Sequence, residues 1–386
     1  MVDFAESAEI AELRSVVRSI AGKYGGSDFA DHGRRGEPQD ALWKELADNG
    51  FIGINVPEEF GGGGAGMSEL AVVAQEAAAA GCPLLLMLVS SAIAVEVLKR
   101  HGNDEQRTRW LPKLAAGHTK IAFAITEPDA GSNSHQISTA ARREGDDYLL
   151  TGTKYYISGI DEAEAVLTVV RTGVDASNGR GRISLLLVPT DAPGLSWHPI
   201  DMAVQIPDRQ FTVFYDGVRV PRSARIGGEG EGLAPLFDGL NPERITAAAL
   251  CVGLGQYALT RAASYASHRA IWGGVPIGAH QAVSHPLAKA KVAVDLAALM
   301  MAKAAWLYDR GLPAGAESNM AKYAAAEAAG AAVDAAVQTH GGNGLSAEYG
   351  LIPLWGMARL LRIAPVNAEM VLNYVAQHTL GLPRSY

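Results

Sequence analysis

The stretch FAITEPDAGS at residues 123–132, with GTKYYIS at 152–158, decides how this chain is read. The first segment opens on apolar residues and then meets Pro128, Asp129 and Gly131. That order reads as a strand running into a turn, with the glycine permitting close backbone approach. Thr126 and Ser132 carry hydroxyls that can both donate and accept, which suits a ring with mixed edge groups. By itself such a segment is also an ordinary β-turn.

Strand signals continue on the C-terminal side. Residues 137–143 and 148–153 flank Glu144-Gly145-Asp146-Asp147, a hairpin signal with a short loop. Residues 165–171, 183–189 and 211–214 add β-rich runs, and Pro193-Gly194 and Asp216-Gly217 mark turns. No helical crossover separates these strands, so 119–228 is expected to be an antiparallel β domain. Residues 1–118 are expected to be helical. Leu42, Trp43 and Leu46 recur at helical intervals, and 67–80 is an alanine-rich helical run. The glycine tetrad at 61–64 could cradle a phosphate, but it lacks the Lys-Ser or Lys-Thr that ends a P-loop; a flexible turn is the simpler reading. Over 229–386 helices return. The runs 288–309 and 318–340 are long and alanine-rich, and small residues let helices approach closely, as in a four-helix bundle. The expected fold is α+β and multidomain: N-terminal helical domain, central antiparallel β domain, C-terminal four-helix-bundle domain.

Composition narrows the function classes. With 386 residues, 48% hydrophobic and 19% charged, the chain reads as globular, with two or three packed domains. A formal charge of −8 and no basic tract with interleaved aromatics argue against a nucleic-acid partner. Cys82 and Cys251 form neither a disulfide framework nor a metal-ligand spacing, so they read as buried thiols and no metal site is expected. The most apolar stretch, 83–98, is broken by Ser90, Ser91 and Glu96. It falls short of the roughly 20 apolar residues a membrane span needs. The opening MVDFAESAEI lacks the apolar core of a signal peptide, so the cytoplasm is expected. GLGQYA at 253–258 matches a dinucleotide fingerprint, G-x-G-x-x-A. The preceding run begins with Asn241-Pro242-Glu243, a helix-start signal, and the next acidic residue, Asp295, lies far beyond the roughly 20-residue spacing of a ribose-binding carboxylate. Close helix packing at those glycines is the better reading.

Taken together, three separated elements resemble the acyl-CoA dehydrogenase family over nearly the whole chain. FAITEPDAGS looks like that family's signature, and GTKYYIS resembles its second flavin-facing strand. The resemblance implies FAD as cofactor. Phe123, Ile125 and Thr126 would line the isoalloxazine, and Gly131 and Ser132 would lie near the flavin and the CoA end of the substrate. Tyr156 would replace the usual tryptophan over the ring, and Ser158 the usual threonine near N5. Arg269-Ala-Ile-Trp272-Gly273, followed by Gln281, resembles an element whose arginine reaches the FAD pyrophosphate of a neighbouring subunit; here it is one residue longer. Arginine suits that task because its planar fork matches phosphate oxygens. Gln338, Gly341 and Gly342 resemble a segment that meets the adenosine-diphosphate part of FAD across a dimer interface; alone they are ordinary helix C-cap chemistry. A homodimer or homotetramer and an electron-transferring flavoprotein as acceptor are implied in the same way.

The reaction so implied is α,β-dehydrogenation of an acyl-CoA, in which a carboxylate removes the α-proton. In many family members that base lies on the C-terminal segment, at a position that here is Pro365. Proline is neither a base nor an amide donor. Some branches, including isovaleryl-CoA dehydrogenases, carry the base just before an arginine at the start of the helix after the β domain. Glu243, followed by Arg244 and preceded by Asn241, matches that position. The same residues are also ordinary helix-start chemistry. Glu369 is the nearby alternative on the C-terminal segment. Two other readings stay open: a flavin monooxygenase on the same fold, and a non-catalytic subunit of a mixed tetramer.

Overall fold

Capping residues and glycine turns set the frame of the computed structural model, which describes residues 6–384 apart from 176 and 178. The N-terminal region holds α1 (Ala8–Ala21), α2 (Gly25–Arg35), α3 (Asp40–Asp48), α4 (Met67–Ala79), α5 (Val95–His101) and α6 (Asp104–Ala115). Asn103 starts α6 with a capping box: its side chain accepts from the Gln106 amide at 2.8 Å, and the Gln106 side chain accepts from the Asn103 amide at 3.0 Å. The glycine tetrad does turn the chain. Gly61 and Gly64 sit at φ 80° and 65°, a region that costs other residues strain.

The middle region is one sheet. Its strands are β1 (Ile121–Ala124), β2 (Ala140–Glu144), β3 (Asp147–Ser158), β4 (Ala165–Val174), β5 (Gly181–Pro189), β6 (Leu195–Pro199), β7 (Gln210–Pro221) and β8 (Arg225–Ile226). The order is β6-β7-β3-β2-β4-β5-β8, with β1 beside β4. Pairing is mostly antiparallel. The exceptions are β1 on β4 and a single-residue contact of β2 on β4, both parallel. The expected hairpin is present: Gly145, at φ 62°, and Asp146 turn β2 into β3, with Glu144 opposite Asp147. Sequence signals did not mark β6, an edge strand that pairs with β7.

The C-terminal region holds α7 (Leu233–His268), α8 (Gln281–Asp309), α9 (Gly315–His340), α10 (Leu351–Ile363) and α11 (Ala368–Tyr374). One apolar core runs through both helical regions, joining Val73 and Ala77 of α4 to Leu250 of α7 and Ala325 and Ala329 of α9. A second core couples Trp110 and Leu114 of α6 to Ile121, Leu167 and Leu185 in the sheet. Among the described residues no helix is long and apolar enough to cross a membrane.

One sequence reading needs correction. Asn241-Pro242-Glu243 is not a helix start: α7 begins at Leu233 and carries Pro242 in its interior. An interior proline cannot donate to the carbonyl four residues back. That carbonyl, on Asp238, instead lies 3.1 Å from the Tyr308 hydroxyl. The same hydroxyl is 3.1 Å from a carboxylate oxygen of buried Glu96, so its one proton is shared. A tertiary partner from α8 thus tolerates a residue that local rules would place at an end.

The dinucleotide-like glycines lie inside α7 and serve packing. A Cβ at Gly253 would stand 2.1 Å from the Gln75 carbonyl of α4, and one at Gly255 would stand 2.7 Å from Val294 of α8. Replacing Gly253 with Ala should therefore destabilise the fold by about 1–3 kcal/mol through overpacking. Urea denaturation measures it; a midpoint equal to wild type would show that α4 does not depend on this close approach.

Candidate active site

The signature segment is held in place by a buried ion pair. Glu127, at the turn after β1, places one carboxylate oxygen 2.9 Å from the Lys154 ammonium on β3. The same carboxylate accepts from the backbone amides of Ser138 and Thr139 at 2.7 and 2.9 Å and from the Ser138 hydroxyl at 2.7 Å. Lys154 also donates to the Ile125 carbonyl at 2.9 Å. Burial works against ionisation of Glu127, but the Lys154 charge and the Thr139 and Ser138 donors outweigh it and hold the carboxyl at about 2. Burial pulls Lys154 down to about 8, with Glu127 holding it up. Sequence reading missed this pair. The usable signal was a lysine at an inward position of a strand, since Tyr148, Leu150 and Lys154 all point into the protein.

Around that staple the expected flavin-facing residues line up. The Tyr155 amide donates to the Thr126 carbonyl at 2.9 Å, joining the two quoted segments directly. Phe123, Ile125 and Thr126 are half-buried. The register of β3 against β7 shifts between Lys154 and Ile157. Tyr156 lies in that irregularity at φ 56° and leaves its ring 49% exposed, which is costly for a bulky residue and turns an aromatic face outward. The Ser158 hydroxyl donates to the Gln210 side chain at 2.9 Å. Gly131 and Ser132 are exposed, and a Cβ at Gly131 would meet nothing within 4 Å.

Two further elements join from the C-terminal region. The Asn367 side-chain Nδ2 donates to the Ser132 hydroxyl at 2.9 Å, while its side-chain Oδ1 accepts from the Met370 backbone amide and caps α11. On α7, Arg244 donates to the Asn241 side chain at 3.0 Å. Glu243, between them, is half-buried and closely surrounded by protein. Burial pushes its carboxyl up to about 7, against the opposing charges of Arg244 and Lys322. Burial also lowers Arg244, with Glu243 and Tyr374 holding it up. Glu369 is exposed in the first turn of α11. Cys251, buried on α7, is pushed up to about 12 and stays a neutral thiol.

The remaining expected residues form a separate surface. Arg269, Trp272, Gln281, Gln338, Gly341 and Gly342 are all exposed, Trp272 at 90%. Tyr265 ties two of these segments together: its carbonyl accepts from the Arg269 amide at 2.9 Å, and its hydroxyl accepts from Asn343 at 3.2 Å. Gly273, Gly341 and Gly342 would each admit a Cβ without contact within 4 Å. Among the described residues, no hydrogen bond or ion pair joins this surface to the signature.

Three regions in this order, helical, sheet and helical, define a class that known proteins share. Family models match at 7–118, 122–214 and 230–380, described as the N-terminal, middle and C-terminal domains of acyl-CoA dehydrogenase. The chain is 54% identical over 385 residues to the acyl-CoA dehydrogenase FadE12 of Mycobacterium tuberculosis, covering 99% of each chain. Among solved structures it resembles a glutaryl-CoA dehydrogenase in complex with glutaryl-CoA, with a TM-score of 0.92, 29% identity and coverage of 100% and 98%. It also resembles PigA with FAD and proline, with a TM-score of 0.92, 26% identity and coverage of 99% and 100%. The chain belongs to the acyl-CoA dehydrogenase family.

Two stability tests follow from these charges. Replacing Lys154 with Met leaves Glu127 buried without its cation and should cost about 3–5 kcal/mol in urea denaturation. A loss under 1 kcal/mol would show that the pair does not staple the segment. For Glu243 the folded pKa is raised, to about 7 from 4.5, so its contribution is lost as pH rises through that window. The variant E243Q should melt above wild type, by a margin that opens between those two values and then stays constant. A lower melting temperature at pH 8 would mean that the carboxylate is not held against its own ionisation.

Proposed function

We propose that this protein is an FAD-dependent dehydrogenase of acyl-CoA thioesters, forming the 2-enoyl-CoA, with Glu243 as the base that takes the α-proton. The carrying observation is that an enclosed carboxyl with its pKa pushed up to about 7 stands on α7. A base works best when its pKa lies near the working pH. The position used by many relatives is occupied by Pro365, and Glu369 faces solvent. A monooxygenase reading leaves an enclosed carboxyl beside Arg244 without a task.

The residues present fit FAD. Tyr156 offers an outward aromatic face and Ser158 a hydroxyl, while Phe123, Ile125 and Thr126 stand beside them. Bare backbone at Gly131, Gly341 and Gly342 leaves room for a close ligand or partner. FAD, when bound, supplies the two-electron oxidant that accepts the β-hydrogen. Ser132, Asn241 and Arg244 serve the substrate side: Arg244 keeps its guanidinium charge next to Glu243 and is oriented by Asn241. In a homodimer or homotetramer, Arg269, Trp272, Gln281, Gln338, Gly341 and Gly342 serve a neighbouring copy's FAD. An electron-transferring flavoprotein reoxidises the site, in the cytoplasm.

The test is anaerobic bleaching of the purified yellow protein with butyryl-, isovaleryl- and glutaryl-CoA. The rate with the best substrate should rise with pH through about 7 as Glu243 ionises. E243Q should keep FAD and slow bleaching by at least ~10³-fold, while E369Q stays near wild type. Bleaching by E243Q at the wild-type rate would remove Glu243 from the mechanism.

A further inference from the structure

Lys322 is 1% exposed in the N-terminal third of α9, a helix packed mainly through alanines. Among the described residues no carboxylate lies at ion-pair distance from its ammonium. Its hydrogen bonds go to two backbone carbonyls, those of Arg362 and Val366. Arg362 lies in the last turn of α10 and Val366 in the strap 364–367 that joins it to α11, so these carbonyls bracket Pro365. The residue after Val366 is Asn367, whose amide donates to Ser132 of the signature at 2.9 Å. A buried ammonium thus ties down a strap that reaches across to the substrate side of the site.

Burying an uncompensated ammonium is expensive, and two carbonyl acceptors repay only part of that. The remaining counter-charge is Glu243, which faces Lys322 from α7. The other groups that face this cluster are known. Arg244 lies beside Glu243 on α7 and faces Tyr374. Lys322 also faces Cys251, which is neutral, and Glu327, which is engaged with Arg362. Glu243 is therefore the carboxylate among them that both buried cations share.

We propose that Lys322 is a positioning residue: it anchors the strap 364–367 and the end of α10 over the site and favours the ionised carboxylate of Glu243. The inference rests on the reading of Glu243 as the base. It assigns to one side chain two tasks that Pro365 cannot perform, since proline brings neither charge nor an N–H to this strap.

The variant K322Q separates the tasks, because the amide still donates to a carbonyl but carries no charge. Loss of a facing positive charge should raise the acid limb of the anaerobic bleaching profile by about one pH unit. K322R should leave that limb in place. Burial lowers Lys322 to about 8, so the same shift should appear without FAD or substrate just below that value: at about pH 7.5 the gain in melting temperature from E243Q should be larger in the K322Q background than beside the charged Lys322. A merely structural lysine would lower stability without moving either readout. An unmoved acid limb together with an unchanged E243Q gain overturns the charge role.

N367A tests the strap even if K322Q does not fold. It should raise the acyl-CoA KM several-fold through loss of the Ser132 contact and leave the acid limb unmoved. A KM equal to wild type overturns the strap role. If E243Q itself bleaches normally, the base assignment fails first; if E243Q is silent while K322Q keeps the wild-type limb, only the role of Lys322 fails.

Discussion

A single helix of 36 residues, α7, has to satisfy both helical regions at once, and the site depends on that constraint. Its approach to α4 is so close at Gly253 that no side chain fits, and at Gly255 the same is true toward α8. Glu243 lies ten residues before Gly253, about 15 Å along the axis at 1.5 Å per residue. The packing that fixes α7 therefore also fixes how deep the carboxylate sits. Depth in turn sets its chemistry, since burial raises Glu243 to about 7 while Arg244 and Lys322 pull the other way. The balance keeps a carboxyl near neutrality without exposing it to bulk water.

The opposite wall of the site is set by a different electrostatic solution. Glu127 and Lys154 neutralise each other at short range, and backbone amides complete the carboxylate. That pair is structural: it neutralises both charges and ties the segment after β1 to β3. The two walls meet through Asn367 and Ser132. One wall buries a satisfied charge pair, and the other buries a carboxylate whose two cations lie on α7 and α9. The carboxyl of the second wall changes protonation near neutral pH, whereas the Glu127 carboxylate of the first stays ionised there.

Much of this was legible from local sequence, and the misses have physical causes. The β2–β3 hairpin was readable because Gly145 and Asp146 are turn chemistry that acts within four residues. Glu243 was singled out by its place before Arg244 in a family pattern, and its role as the base is the proposal made above. The true start of α7 was not, because Pro242 obeys local rules for a helix end and is tolerated inside only through Tyr308, more than sixty residues away in sequence. Lys154 and Lys322 were missed for a related reason. A lysine in a strand or an alanine-rich helix normally reads as a solvated position, and each partner here is supplied by another element. The edge strand β6 carries one strong β former, Trp197, in five residues and ends on Pro199.

The most direct measurement is a crystal structure of the holoprotein with a thioether analogue of an acyl-CoA that cannot react. A carboxylate oxygen of Glu243 should stand about 3–3.5 Å from the carbon that corresponds to Cα, with Lys322 still bonded to the strap. Finding another carboxylate at that carbon, or Glu243 turned away from it in the loaded site, would refute the assignment.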